Sequence, residues 1–146
     1  MQIIVKTFNE LSLEELYKIL RLRAEVFVVE QDCVYQDIDN KDKKALHVIG
    51  FKNDEVVAYT RCFKPGDYFT EASIGRVVVQ ENQRQYGYGY DIMNASIKAI
   101  AEHFKTEKIK ISAQTYLKTF YSNLGFENTG EEYLEDGIPH IAMVKN

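Results

Sequence analysis

RVVVQENQRQYGYGY, residues 76–90, is the stretch on which the reading of this chain turns. Three consecutive β-branched residues, Val77, Val78 and Val79, end a strand; a polar run follows; then Gly87 and Gly89 open a helix. Beyond them Met93, Ile97, Ile100 and Phe104 recur at i, i+4, i+7 and i+11, which predicts one apolar stripe laid on a sheet. Arg84-x-x-Gly87-x-Gly89, set between strand and helix, has the make-up of an anion cradle. Glycines let the backbone approach a ligand closely, successive N–H groups and the positive end of the helix dipole face it, and Arg84 adds a charge-assisted contact. A dinucleotide fingerprint needs a third small residue where Ile92 stands, and a Gly-Lys-Ser/Thr phosphate loop is absent. Taken alone, the spacing also fits a tight strand-to-helix turn that needs two glycines and no ligand.

Working outward, residues 2–8 predict a strand, and Ser12 with Glu15 predicts a capping box before a helix that carries Leu13, Leu16, Tyr17, Leu20 and Phe27 and runs to about Val28. A turn-rich stretch, 31–44, leads to strands at 45–52 and 56–64, a hairpin about Asn53-Asp54-Glu55, and then to a strand at 72–79. Downstream come a strand at 108–113, a short helix at 115–124 stopped by Gly125, and strands at 126–133 and 138–144 around Glu135-Asp136-Gly137. Helices alternate with strands only over residues 72–126, and hairpins fill the rest. This order predicts a mixed α/β (α+β) sheet rather than a doubly wound parallel one.

At 146 residues, 45% hydrophobic and 27% charged, the chain reads as a single domain spanning 1–146. A net charge of −4 argues against nucleic acid as a partner. No apolar run approaches the roughly 18 residues of a membrane span, and the opening MQIIVKTF lacks a signal peptide, so no membrane partner and a cytoplasmic location are expected. Cys33 and Cys62 cannot form a disulfide framework; free thiols are the simpler reading, with one bridge left open. The three histidines and two cysteines show no metal-ligand spacing, and neither thiol lies in a nucleophile motif beside His47 or His140.

The strand, the Arg84-to-Gly89 loop and its helix resemble the acetyl-CoA site of the GCN5-related N-acetyltransferase (GNAT) superfamily. TFYSNLGF, residues 119–126, is similar to the family's second signature, a Tyr four positions before a Gly-Phe pair. Residues 22–42 and 135–145 resemble the ElaA-type acetyltransferases within it. The resemblance implies a GNAT-like sheet, mixed and largely antiparallel, with a central parallel pair flanked by helices. It implies acetyl-CoA as cosubstrate, with Arg84, Gln85, Tyr86, Gly87, Tyr88, Gly89 and Tyr90 around its pyrophosphate. The pantetheine arm would bond the main chain of Val77 to Val79 in a splay between the central parallel strands. Gln114 stands where many members carry an Asn near the pantetheine. The acetyl group would pass by direct attack to a small-molecule or peptide amine, with Tyr121 as the acid that protonates the departing thiolate.

The residues themselves leave alternatives open. Tyr121 falls with Leu117 and Leu124 at helical spacing, where an aromatic is ordinarily core. Glu30, His47, Glu71 and His140 are candidates for the general base, with a water chain as substitute and a structural histidine as the other reading of His47. Glu30, Gln31, Tyr35, Asp37 and Asp39 would form an acidic wall for the acceptor amine. A homodimer stays open. The rival from another class is a non-catalytic acyl-CoA-binding or sensor module.

Overall fold

The computed structural model describes the whole chain, Met1–Asn146. Strand alternation sorts its apolar side chains onto the two faces of one sheet. In β2 (Leu46–Lys52) Val48 joins one core and Ile49 the other; in β3 (Glu55–Phe63) Ala58 and Tyr59 divide the same way. The larger core lies under α2 (Tyr88–Phe104) and α3 (Lys118–Asn123), and the smaller under α1 (Leu13–Arg23). The remaining strands are β1 (Gln2–Thr7), β4 (Ala72–Val79), β5 (Ile109–Gln114), β6 (Glu127–Asn128), β7 (Tyr133–Glu135) and β8 (Ile138–Lys145). They run in the order β1-β2-β3-β4-β5-β8, with β6 and β7 both on β8, and every pairing is antiparallel except β4–β5. This is the expected mixed sheet with a central parallel pair. No helix is long and apolar enough to cross a membrane.

The capping box forms as the sequence predicts: Glu15 N–H donates to Ser12 Oγ at 3.0 Å and Ser12 N–H to Glu15 Oε1 at 2.8 Å. The helix does not continue to Val28 as a regular coil. After Arg23 it widens into a π-helix, Ala24–Glu30, continued by Gln31 N–H to Val26 O and Cys33 N–H to Val28 O. That widening keeps Val26 in the small core while Phe27, Glu30 and Gln31 reach a cleft. The stripe of α2 is centred on Ile92, Met93, Ser96, Ala99 and Ile100, with Ile97 and Phe104 at its margin. Ser96 is tolerated there because its hydroxyl bonds Ile92 O at 2.7 Å and Thr60 Oγ1 at 2.6 Å. The expected strand 126–133 is broken: five steps from Asn128 to Tyr133 oppose three from Met143 to His140, so a bulge separates β6 from β7. The helix expected at 115–124 starts as a 3₁₀ turn, Thr115–Leu117, ahead of α3.

Two irregularities in β4 position the site. Pairing with β5 is confined to Ala72–Ile109 and Ser73–Lys110, although the strands run on to Val79 and Gln114. On the β3 side Tyr59 opposes Val78 but Arg61 opposes Gly75, so β4 carries one extra residue, and Arg76 takes a left-handed φ of 48° there.

Candidate active site

Where β4 and β5 part, β4 is left with main-chain groups that no strand satisfies. Gln80 N–H donates to Val57 O at 2.8 Å, which makes Gln80–Val57 a hydrogen-bonded pair. By the antiparallel alternation, the adjacent pair, Val79–Ala58, turns its amide groups away from β3. Val79 O indeed accepts from Arg84 Nε at 3.0 Å, on the side of the splay. Val77, Val78 and Val79 line a continuous cleft of about 490 Å³ that follows this gap from the start of α2 to the β7–β8 hairpin.

Of the loop residues, Arg84, Gly87, Gly89 and Tyr90 line the cleft, whereas Gln85, Tyr86 and Tyr88 do not. Tyr86 and Tyr88 instead pack against each other, ring centroids 5.4 Å apart, with Lys52 Nζ 4.3 Å from the first ring and 5.6 Å from the second. Gly87 caps α2 with a φ of 74°, a region costly for any residue with a Cβ. Gly89 is needed for a different reason: a Cβ there would lie 3.3 Å from the Phe120 ring, so it permits close packing of α2 on α3. The Arg84 guanidinium is not turned toward the loop amides. It binds both oxygens of Glu30, at 2.6 and 2.9 Å, and ties the π-helix to the β4 side of the cleft.

Tyr121 sits in the larger core with only its margin in the cleft, and its hydroxyl has no hydrogen-bond partner. Burial pushes the phenol above its usual range. Core residue and cleft residue are thus one. Gln114, at the end of β5, lines the same cleft opposite Gln31, and the two amides exchange long hydrogen bonds of 3.4 Å across it.

The far half of the cleft differs from the expected acidic wall. Asp37 and Asp39 do not line it; they are spent on arginines. Arg23 binds Asp37 at 3.0 Å and Asp42 at 2.8 Å, Arg61 binds Asp39 at 2.7 Å and Asp42 at 3.0 Å, and Arg76 lies 2.8 Å from Asp37 and 3.4 Å from Asp39. Three arginines balance three aspartates in a largely buried network. Burial alone would raise the Asp39 pKa, but hydrogen bonds and charge from Arg61, with help from the Lys41 amide and Arg76, hold it well below the usual carboxylate range.

The four base candidates part company. His47 is fully buried on the far side of this network, with Nδ1 2.6 Å from Tyr59 Oη and Nε2 2.9 Å from Asp42 O. It does not reach the cleft, and burial lowers its pKa. Glu71 precedes β4 at the opposite end of the strand, in a separate shallow depression with Lys108 and Lys110. Glu30 lines the cleft but both its oxygens are held by Arg84. His140 lines the cleft: Nδ1 is 2.7 Å from Ile138 O, which can only accept, so Nδ1 carries a proton. Nε2 lies 3.3 Å from Glu135 Oε2.

Sequence reasoning missed Arg61, Arg76, Tyr68 and Phe69, all of which line this half. The available signal was an arginine inside otherwise apolar or small-residue strands, as in SIGRVVV and YTRCF. Cys33 and Cys62 are both unpaired; Cys33 lines the cleft and Cys62 is buried, its thiol pushed up to about 12 by desolvation.

The model of the Acetyltransferase (GNAT) domain family matches residues 7–146. ElaA of Escherichia coli K12 is 43% identical over 139 residues, 94% of this chain and 91% of ElaA. The crystal structure of Escherichia coli ElaA superposes with a TM-score of 0.91 at 38% identity over 100% of both chains. An acyl-CoA N-acyltransferase from Pseudomonas aeruginosa superposes with a TM-score of 0.94 at 36% identity, again over 100% of both. A UPF0039 protein of Schizosaccharomyces pombe is 39% identical over 98% of this chain and 95% of that protein.

Proposed function

This chain belongs to the GNAT acetyltransferase family, and from that membership we propose an enzyme that moves an acetyl group from acetyl-CoA to the nitrogen of an amine. The observation that carries the reading is the gap between β4 and β5, with the Val79 amide turned into it and the unpartnered Tyr121 hydroxyl at its margin.

These residues fit a coenzyme thioester. An extended amide-bearing arm can bond the free edge of β4 as another strand would, and the left-handed Gly87 opens the first turn of α2 to a diphosphate. When bound, acetyl-CoA supplies the activated acyl group. The chain's own groups do the rest. Val79 N–H, turned into the gap, would donate to the thioester carbonyl oxygen as it gains negative charge. His140 Nε2 takes the proton that the amine must lose before or as its nitrogen bonds the acyl carbon. Tyr121, a phenol protonated at neutral pH, would give its proton to sulfur as the carbon–sulfur bond breaks. Main chain holds the arm, and side chains move protons.

The test is release of free thiol from acetyl-CoA across a library of amines, with the acetylated product identified by mass. Coenzyme binding by calorimetry without thiol release from any amine would favour the sensor reading instead.

A further inference from the structure

The acceptor end of the cleft is lined by Arg61 and Arg76 but by none of the aspartates that neutralise them. The wall therefore presents the donor side of a balanced network. Every oxygen of Asp37 and Asp39 is already engaged: Asp37 by Tyr35, Arg23 and Arg76, Asp39 by Arg61, Arg76 and the Lys41 amide. Arg76 is not so fully used. Its Nη2 donates to Asp37 O at 3.0 Å, its Nε lies beside Asp37 without aiming its N–H there, and its Nη1 has no partner. The side chain is 19% exposed, and its guanidinium carbon lies 5.3 Å from the Tyr35 ring centroid. The backbone that carries it sits in a left-handed bulge, a conformation disfavoured for a residue with a Cβ and kept where surroundings enforce it.

Glu135, Asp136 and His140, from the β7–β8 hairpin, line the same cleft. Aromatic faces lie between: Tyr68 stacks on Phe63 at 5.2 Å and meets Phe69 edge-on at 4.8 Å. One wall suits an anion, the other an ammonium, and the space between suits hydrocarbon. We infer that the acceptor is an amino carboxylate whose carboxylate is bound by Arg76 and whose amine faces His140 and Glu135. This rests on the acyltransferase reading above; a polyamine or other purely cationic amine would leave Arg76 facing it with like charge.

Thiol release from acetyl-CoA is measured with matched acceptors, phenylalanine against phenethylamine and 4-aminobutyrate against butylamine, with spermidine as the cationic control. The wild type is expected to prefer the acids by about tenfold or more in kcat/KM, the worth of one charge-assisted pair. Arg76→Gln should remove that preference through KM, and Arg76→Lys, which keeps the charge and the fold, should restore part of it. Equal use of the matched amines, preference for spermidine, or a loss in Arg76→Gln shared by acid and amine alike would overturn the inference. A second readout separates it from the enzymatic reading: calorimetric titration of CoA-loaded protein with 3-phenylpropionate, which has the carboxylate and no amine. Binding to wild type that Arg76→Gln loses would sustain the anion site even if no amine were acetylated. No binding to wild type would sink it even if some amine were.

Discussion

The two halves of the cleft are built on opposite plans. The half beside α2 uses main chain and small residues: the free edge of β4, the left-handed Gly87, the close-packed Gly89, and an aromatic core that ends in Tyr121. The half beside the β7–β8 hairpin is shaped by side-chain charge, with Arg23, Arg61 and Arg76 locked to Asp37, Asp39 and Asp42 beneath an aromatic wall. A ligand common to many enzymes can be held by backbone, which every sequence has. A particular acceptor calls for particular side chains, and a buried charge network keeps those in place.

If that division is right, the largest stability loss comes from the charged half. Asp42 is shared by Arg23 and Arg61 and is 7% exposed, so Asp42→Ala leaves two buried guanidinium groups short of a partner. We expect about 3–5 kcal/mol of destabilisation in urea unfolding, the usual consequence of breaking a buried pair from one side. A loss below about 1 kcal/mol would mean that water reaches the network and that this wall of the cleft is not rigid.

The next effect belongs to the other half and is on rate alone. Tyr121→Phe removes a hydroxyl that bonds nothing, so stability and acetyl-CoA affinity should hold while kcat falls about a hundredfold or more. An unfolding midpoint that dropped with the rate would make Tyr121 a packing residue only.

The same division explains what could be read beforehand. The loop at 84–89 was legible because its signal is contiguous: two glycines at fixed spacing between a valine run and an amphipathic helix. Ser12 with Glu15 was legible for the same reason. The charged network was not, because its pairs lie 22 residues apart for Asp39–Arg61 and 39 apart for Asp37–Arg76. Nothing local tells Asp37 and Asp39 that arginines will bind them, so in sequence they fit a wall for the acceptor amine or a merely solvated loop. The π-helix was hidden as well, since the apolar run at residues 26–29 reads as more of the same helix and only the five-residue hydrogen bonds mark the change. His47 lay in an apolar strand, where a satisfied structural role and a catalytic one look alike until its neighbours are known.

His47 also gives the charged half a pH dependence that the backbone half lacks. Asp42 O can only accept, so Nε2 carries the proton and Nδ1 accepts from Tyr59; the neutral ring is fully satisfied. Burial, with Arg23 and Arg61 nearby, pushes its pKa below the unfolded value, the Asp42 contacts opposing this only in part. Below the unfolded value of about 6.5 the unfolded chain takes up a proton that the folded chain refuses. Stability from this residue is therefore intact above that pH and declines below it, by at most about 1.4 kcal/mol per pH unit. Thermal midpoints from pH 8 to 5 should show the decline in wild type and a flatter line in His47→Gln; parallel lines would mean that His47 titrates freely.

The smallest effect lies at the seam between the halves. Arg84 stands in the loop between β4 and α2, where its guanidinium binds Glu30, at the end of the π-helix, and Val79 O. Both side chains of the pair are substantially exposed, at 43% and 31%, so solvent screening limits it to roughly 1 kcal/mol or less. If the pair persists with coenzyme bound, Arg84→Ala and Glu30→Gln should each weaken acetyl-CoA binding by no more than about fivefold, and the double variant should be no worse than either, because each deletes the same contact. If instead Arg84 leaves Glu30 for the diphosphate, the two variants diverge: Arg84→Ala loses affinity, while Glu30→Gln gains it by freeing the arginine. Calorimetric titration of the three variants distinguishes a fixed seam from one that the coenzyme itself opens.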